Sequence, residues 1–223
     1  MATPRPQQLI VEGKDDLYSI LHLLRRTGVL QKEATEQSSP IEITPVNSKR
    51  RLIDDIRTRW KQAGVKSIGY VLDADDAASE LKGVVPTWDA IRHRLTQIPV
   101  DSETSISIHG FTGQVGTEGP RIGIWIMPDN QRDGAIEDFL ISLIDPLDLL
   151  FRFASEKTAE AGNLAVDDKF RDSDFGKAVL SCWLAWCDDP GKPYGHAMLA
   201  GRFSVSTEPA TRFIDWIRKL YIL

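Results

Sequence analysis

Four short apolar runs, each stopped by a turn residue or by acid, set the limits on what this chain can fold into. They are "QLIVEG" (residues 8–13), "IEITPV" (41–46), "SIGYVLDAD" (67–75) and "RIGIWIMP" (121–128). Each is rich in Ile and Val and too short to be a buried helix, so each reads as a strand. Helical patterns lie between them. In "DDLYSILHLLRRTG" Leu17, Ile20, Leu21 and Leu24 share one face, Asp15 or Asp16 caps the start, and Gly28 suits the end. "KRRLIDDIRTRWKQAG" carries Leu52, Ile56 and Trp60 on one side and ends near Gly64, and "TWDAIRHRLTQI" and "DGAIEDFLISLI" read as further helices. Strand–helix alternation with short connections implies βαβ units and an α/β fold. The expected core is a mostly parallel sheet of about four strands flanked by helices.

The remaining segments are less regular. Residues 31–40 read as a polar loop, and residues 100–120 as a loop or loose hairpin. After about residue 146 the strand signal fades, and "GKAVLSCWLAWCDD" and "PATRFIDWIRKLYIL" read as helices. We expect an α/β domain over residues 1–146 and a helical elaboration over 147–223 packed on it.

Bulk properties narrow the function classes. No apolar run reaches the roughly 20 residues needed to cross a bilayer, and "MATPRPQQLIVEG" has no signal-peptide core. A soluble, cytoplasmic protein with no membrane partner is expected. The net charge of −5 argues by composition against a dedicated nucleic-acid binder, while leaving room for an enzyme with a local basic groove. Cys182 and Cys187 lie five apart in an apolar helical pattern and read as reduced, buried thiols. His22, His93, His109 and His196 are scattered, so no zinc site is expected.

The acids carry the chemistry. In an open parallel sheet, ligands bind at the carboxyl ends of the strands. The first strand ends in Glu12, with Asp16 one helical turn later. The third ends in Asp73 and Asp75, two apart and so facing the same side. The fourth runs into Asp129 and, just inside its helix, Glu137 and Asp138. On a helical wheel Glu137 falls within the apolar face and Asp138 outside it, so Glu137 is the better candidate to enter the site. Close carboxylates cannot all stay ionised unless one takes a proton or a cation intervenes. Mg²⁺, a hard ion with a preference for oxygen, suits such a cluster and works with phosphates.

"LIVEGKDD" followed, after a helix, strand and helix, by "YVLDADDA" resembles the Toprim domain of topoisomerases, primases and overcoming-lysogenization-defect (OLD) nucleases. The acid four residues after Glu12 looks most like the OLD branch. The stretches "GIWIMPDNQRDGAIEDFL" and "WLAWCDDPGKPYGHAM" resemble a small bacterial group of stand-alone Toprim-like proteins. The resemblance implies Mg²⁺ (or Mn²⁺) and phosphodiester chemistry on DNA or RNA. In that picture Glu12 is a metal ligand or general acid/base, Asp16, Asp73 and Asp75 hold metal, Glu137 supplies a further ligand, and Lys177 stabilises developing charge. OLD-type systems join the nuclease to an ATPase. No GxxxxGK[ST] occurs here, so that partner in phage defence would be a separate chain.

Two other readings compete. An apolar strand ending in Asp-x-Asp also fits a haloacid-dehalogenase-type phosphatase with Asp73 as nucleophile. A non-catalytic Toprim-like subunit that binds a partner fits the acidic net charge. Among the remaining features, Asp76 reads as a turn cap. Lys49, Arg50, Arg51, Arg57, Arg59 and Lys61 alternate with Asp54 and Asp55 and read as a solvated helix face. Trp183, Trp186 and Trp216 read as core aromatics.

Overall fold

The computed structural model describes residues 5–74, 82–101, 105–164 and 174–222. Its centre is one six-stranded sheet. The strands are β1 (Gln7–Val11), β2 (Ile41–Pro45), β3 (Ser67–Asp73), β4 (Val100–Asp101), β5 (Phe111–Val115) and β6 (Arg121–Met127). Their order is β2-β1-β3-β6-β5-β4. The first four in that order run parallel, and β5 and β4 add an antiparallel edge. The expected α/β class and parallel core are therefore present. The sheet gains two strands from residues 100–120, because Phe111 and Val115 bury on one face while the intervening residues stay half-exposed.

Alternation along each strand sorts its side chains to the two faces. Leu9, Val11, Val71, Trp125 and Met127 point to one side, where they join α1 (Lys14–Arg26), α4 (Ile136–Ile141) and the C-terminal helices. Ile10, Tyr70, Leu72, Ile124 and Ile126 point to the other, under α2 (Lys49–Asp55) and α3 (Val84–Leu95). Helix α2 is shorter than its sequence pattern. The amides of Arg57 and Thr58 bond the carbonyls of Asp54 and Asp55, three residues back, which tightens the chain into a 3₁₀ turn at Arg59–Lys61.

The C-terminal segment contributes α5 (Leu149–Leu164), α6 (Phe175–Trp186), α7 (Tyr194–Leu199) and α8 (Glu208–Tyr221). Helix α5 escapes a periodicity search because it buries only Ala154 and Thr158 among its side chains. Helix α7 lies against α1 at Gly195, where a Cβ would come within 2.5 Å of the Tyr18 Cβ. Helix α8 packs across the middle of the sheet. Gly69 of β3 and Gly123 of β6 are register partners and leave a bare strip of backbone there. A Cβ at Gly69 would stand 2.7 Å from Leu9 and 2.9 Å from Leu220; one at Gly123 would stand 2.7 Å from Leu220. Phe213, Trp216, Ile217 and Leu220 are buried on this seat, each contributing about 1.5–3 kcal/mol. Trp183 and Trp216 are core residues as expected, but Trp186 is 46 % exposed and stacks on the half-exposed Phe153. Cys182 and Cys187 are free thiols and only half-buried.

Candidate active-site cleft

The carboxyl ends of β1, β3 and β6 open into a cleft of about 760 Å³. Glu12 and Asp73 form its floor, the Asp133–Asp138 stretch one wall, and Asn47–Lys49 another; α5 and the first turn of α6 close over it. The parallel topology is what brings residues from distant parts of the chain to one edge.

The floor is tied together by short bonds. A Glu12 Oε1 accepts the Asp73 N–H at 2.9 Å, joining the ends of neighbouring strands. The Glu12 carbonyl accepts the Asn47 N–H at 2.7 Å. Asn47 takes a left-handed conformation (φ 54°) that swings Ser48 and Lys49 toward the cleft. Asp16 is buried. Its Oδ2 accepts the Gly13 N–H at 3.0 Å, capping α1, while its Oδ1 has no hydrogen-bond partner. The cap and the site carboxylate are thus one residue. Asp73 Oδ1 is likewise buried without a partner.

These carboxylates feel one another. Burial pushes the Asp73 carboxyl well above its ordinary range, and Asp16, Glu12 and Glu137 push it further, against a bond from the Ile136 amide. Burial, then Glu12, raises Asp16 to about 7. Burial also raises Glu137, where the Lys177 ammonium opposes it. In each case burial is the leading cause, so the ionised form is poorly solvated, and neighbouring carboxylates add to the cost of charging it.

A divalent cation would offset that cost. The oxygen-only donor set and the two orphaned oxygens on Asp16 and Asp73 fit a hard dication such as Mg²⁺. Among the described residues, no three His, Cys, Asp or Glu side chains already converge on one point, so a closed coordination shell is not in place. Asp75, the remaining expected ligand, and Asp76 lie outside the described residues. Glu12, Asp16, Asp73, Glu137 and Lys177 are brought together at this edge.

Two acids resolve differently. Asp138 lines the cleft, but its Oδ2 accepts the Ala135 N–H at 2.8 Å and caps α4. Asp129 turns away. Burial would raise its carboxyl, but the Arg132 amide and guanidinium and the Gln131 amide hold it below the ordinary range. It is a turn residue rather than a site acid.

Sequence reasoning missed Lys49. It lies at the start of α2, is buried, lines the cleft, and donates from Nζ to the Ala74 carbonyl at 3.2 Å. The strand-end rule, applied to β2 as it was to the other strands, points to it. Asp133 was missed as well; it lines the cleft, and its Oδ1 accepts the Val84 N–H at 2.8 Å at the start of α3. A smaller cavity of about 310 Å³ lies between α6 and α7. Its charges are met by Arg202–Asp188 and Lys192–Asp189 pairs, and it holds none of the buried unpartnered atoms.

No helix among the described residues is long and apolar enough to cross a membrane. No curated protein and no solved structure matches the chain. One family does, over residues 6–222: a protein family of unknown function, DUF3226. That span takes in every strand of the sheet, the acidic cleft and the C-terminal helices, and the chain belongs to the DUF3226 family.

Proposed function

We propose that this cleft hydrolyses phosphodiester bonds in a polynucleotide with the help of Mg²⁺ or Mn²⁺, in the manner the Toprim resemblance implies. The observation that carries the reading is the pair of buried, unpartnered carboxylate oxygens on Asp16 and Asp73, surrounded by Glu12 and Glu137. Buried polar oxygens without partners are costly unless a ligand or a proton relieves them.

Glu12, Asp16, Asp73 and Glu137 would hold the cation, with Asp75 as a further ligand. The bound ion supplies Lewis acidity toward a phosphoryl oxygen and lowers the pKa of attacking water. Glu12, fixed by the Asp73 amide, would be the residue to accept a proton from an attacking water. Lys177, whose charge already acts on Glu137, stands in the first turn of α6 and stabilises charge on the departing oxygen. Lys49 adds a second cation at the floor and braces the end of β3 through Ala74.

The test is cleavage of plasmid, single-stranded DNA and RNA with millimolar Mg²⁺ or Mn²⁺. The reading predicts cleavage by the wild type and a loss of at least ~100-fold in Asp73→Asn, beyond the ~10–100-fold typical of groups that only support a metal ligand. Equal rates in the two proteins, or an inert wild type with every substrate and ion, would contradict it.

A further inference from the structure

We propose that the outer face of α2 is a docking track for the polynucleotide, with Arg50, Arg51 and Arg57 holding phosphates of the strand that enters the cleft. The polyanion as substrate class rests on the phosphodiesterase reading above; the surface itself is read from the structure. In the sequence, the cations here alternate with Asp54 and Asp55, which suggests an electrically mixed face. Folding sorts the two signs. Asp54 Oδ1 pairs with Arg94 Nη2 of α3 at 2.9 Å, and Asp55 pairs with Arg59. Both acids are thereby paired with other arginines, although the Asp54 side chain remains 43 % exposed.

Arg50, Arg51 and Arg57 are left exposed, and none of the three has an ion-pair partner among the described residues. They form a strip of one sign on a protein whose net charge is −5. Its position gives it a purpose. Ser48 and Lys49 line the cleft and Arg50 and Arg51 follow directly in the chain, so the strip begins at the cleft mouth. It continues past the 3₁₀ turn to Lys61, whose ammonium sits 5.4 Å from the half-exposed Trp60 ring. The carboxylate floor repels phosphates until cations bind there. A basic strip beside it offers the backbone a place to bind first, so that only the scissile group meets the acids.

The experiment measures binding without turnover. Fluorescence anisotropy is followed in EDTA across a salt series, using short labelled single-stranded DNA, duplex DNA and single-stranded RNA in separate arms. Three proteins are compared: wild type, Arg50→Gln/Arg51→Gln/Arg57→Gln, and a control with the same charge change elsewhere, Lys192→Gln/Arg218→Gln/Lys219→Gln. The proposal predicts, in at least one arm, a salt slope shallower in the α2 variant than in wild type. The difference should be about 2 for single strands, at ~0.7 per phosphate contact, or nearly 3 for duplex at ~0.9. The control should keep the wild-type slope, and the arm with the larger effect identifies the strand form. Equal slopes for wild type and the α2 variant in every arm, an equal loss in the control, or no binding by wild type at low salt would overturn it. Metal is absent throughout, so a failed cleavage assay beside intact, α2-dependent binding would count against the phosphodiesterase chemistry and not against the track.

Discussion

The middle of β3 and its carboxyl end follow opposite rules. At the middle, Gly69 and its partner Gly123 strip the sheet bare so that α8 can lie on the backbone. The two polar-tipped aromatics that α8 buries there are satisfied: Trp216 Nε1 donates to the Phe111 carbonyl at 3.1 Å and the Tyr221 hydroxyl to the Gln8 carbonyl at 2.6 Å. Four residues beyond Gly69, Asp73 and its neighbour Asp16 each bury an oxygen with no partner. One stretch is closed by the chain's own packing, with a single neutral indole nitrogen beneath α8, that of Trp125, left without a partner among the described residues. The other is complete only when a proton or a cation is added. Sites that bind are commonly left unsatisfied in this way, with the scaffold supplying the stability.

The two places should respond in opposite ways to substitution. Asp73→Asn should remove activity by ~100-fold or more while leaving thermal stability in EDTA at pH 8 equal to or above wild type, since it removes a buried carboxyl whose ionisation is opposed by burial and by its acidic neighbours. A large loss of stability would mean that the carboxylate is structural. Gly69→Ala should do the reverse. Its Cβ would overlap Leu9, Leu220 and the Tyr221 hydroxyl; overpacking of this kind costs about 1–3 kcal/mol. Chemical denaturation should register that loss, with cleavage per folded molecule unchanged.

The pH dependence sharpens the contrast. Asp16 keeps its proton up to about 7 in the folded chain and to about 4 when unfolded. Between those values the folded state binds more protons, so this residue's contribution to stability falls as pH rises. In EDTA, the melting temperature of wild type relative to Asp16→Asn should drop by about 5–10 °C between pH 5 and pH 8, at ~2–4 °C per kcal/mol. A constant gap would mean that the Asp16 charge is already matched. The smallest effect belongs to the closed region: Tyr221→Phe leaves the Gln8 carbonyl short of one donor and should cost about 1 kcal/mol at any pH where the fold holds.

The parallel core was legible because β1, β3 and β6 are continuous apolar runs. Glu12, Asp16, Asp73 and Glu137 were legible because strand polarity sends strand ends to one edge. What escaped had a local pattern too weak or too ambiguous to read. Helix α5 buries little of its surface and carries no broad apolar stripe. Residues 111–115 alternate weakly and gain their strand by pairing with β6. Asp129 follows a strand as faithfully as Asp73 does; Arg132, three residues on, and the Gln131 amide divert it. The sorting of charge on α2 depends on Arg94, forty residues away in the chain, which no local pattern contains.

If the strand-end carboxylates are completed by a divalent cation, the chain must bind one through Asp73. Isothermal titration of Mn²⁺ and Mg²⁺ at pH 8 into wild type and Asp73→Asn tests it directly. Wild type should bind saturably at up to millimolar concentration, and the variant should lose that binding or weaken it at least tenfold. Absence of binding to wild type, or equal affinity in the two proteins, would contradict it.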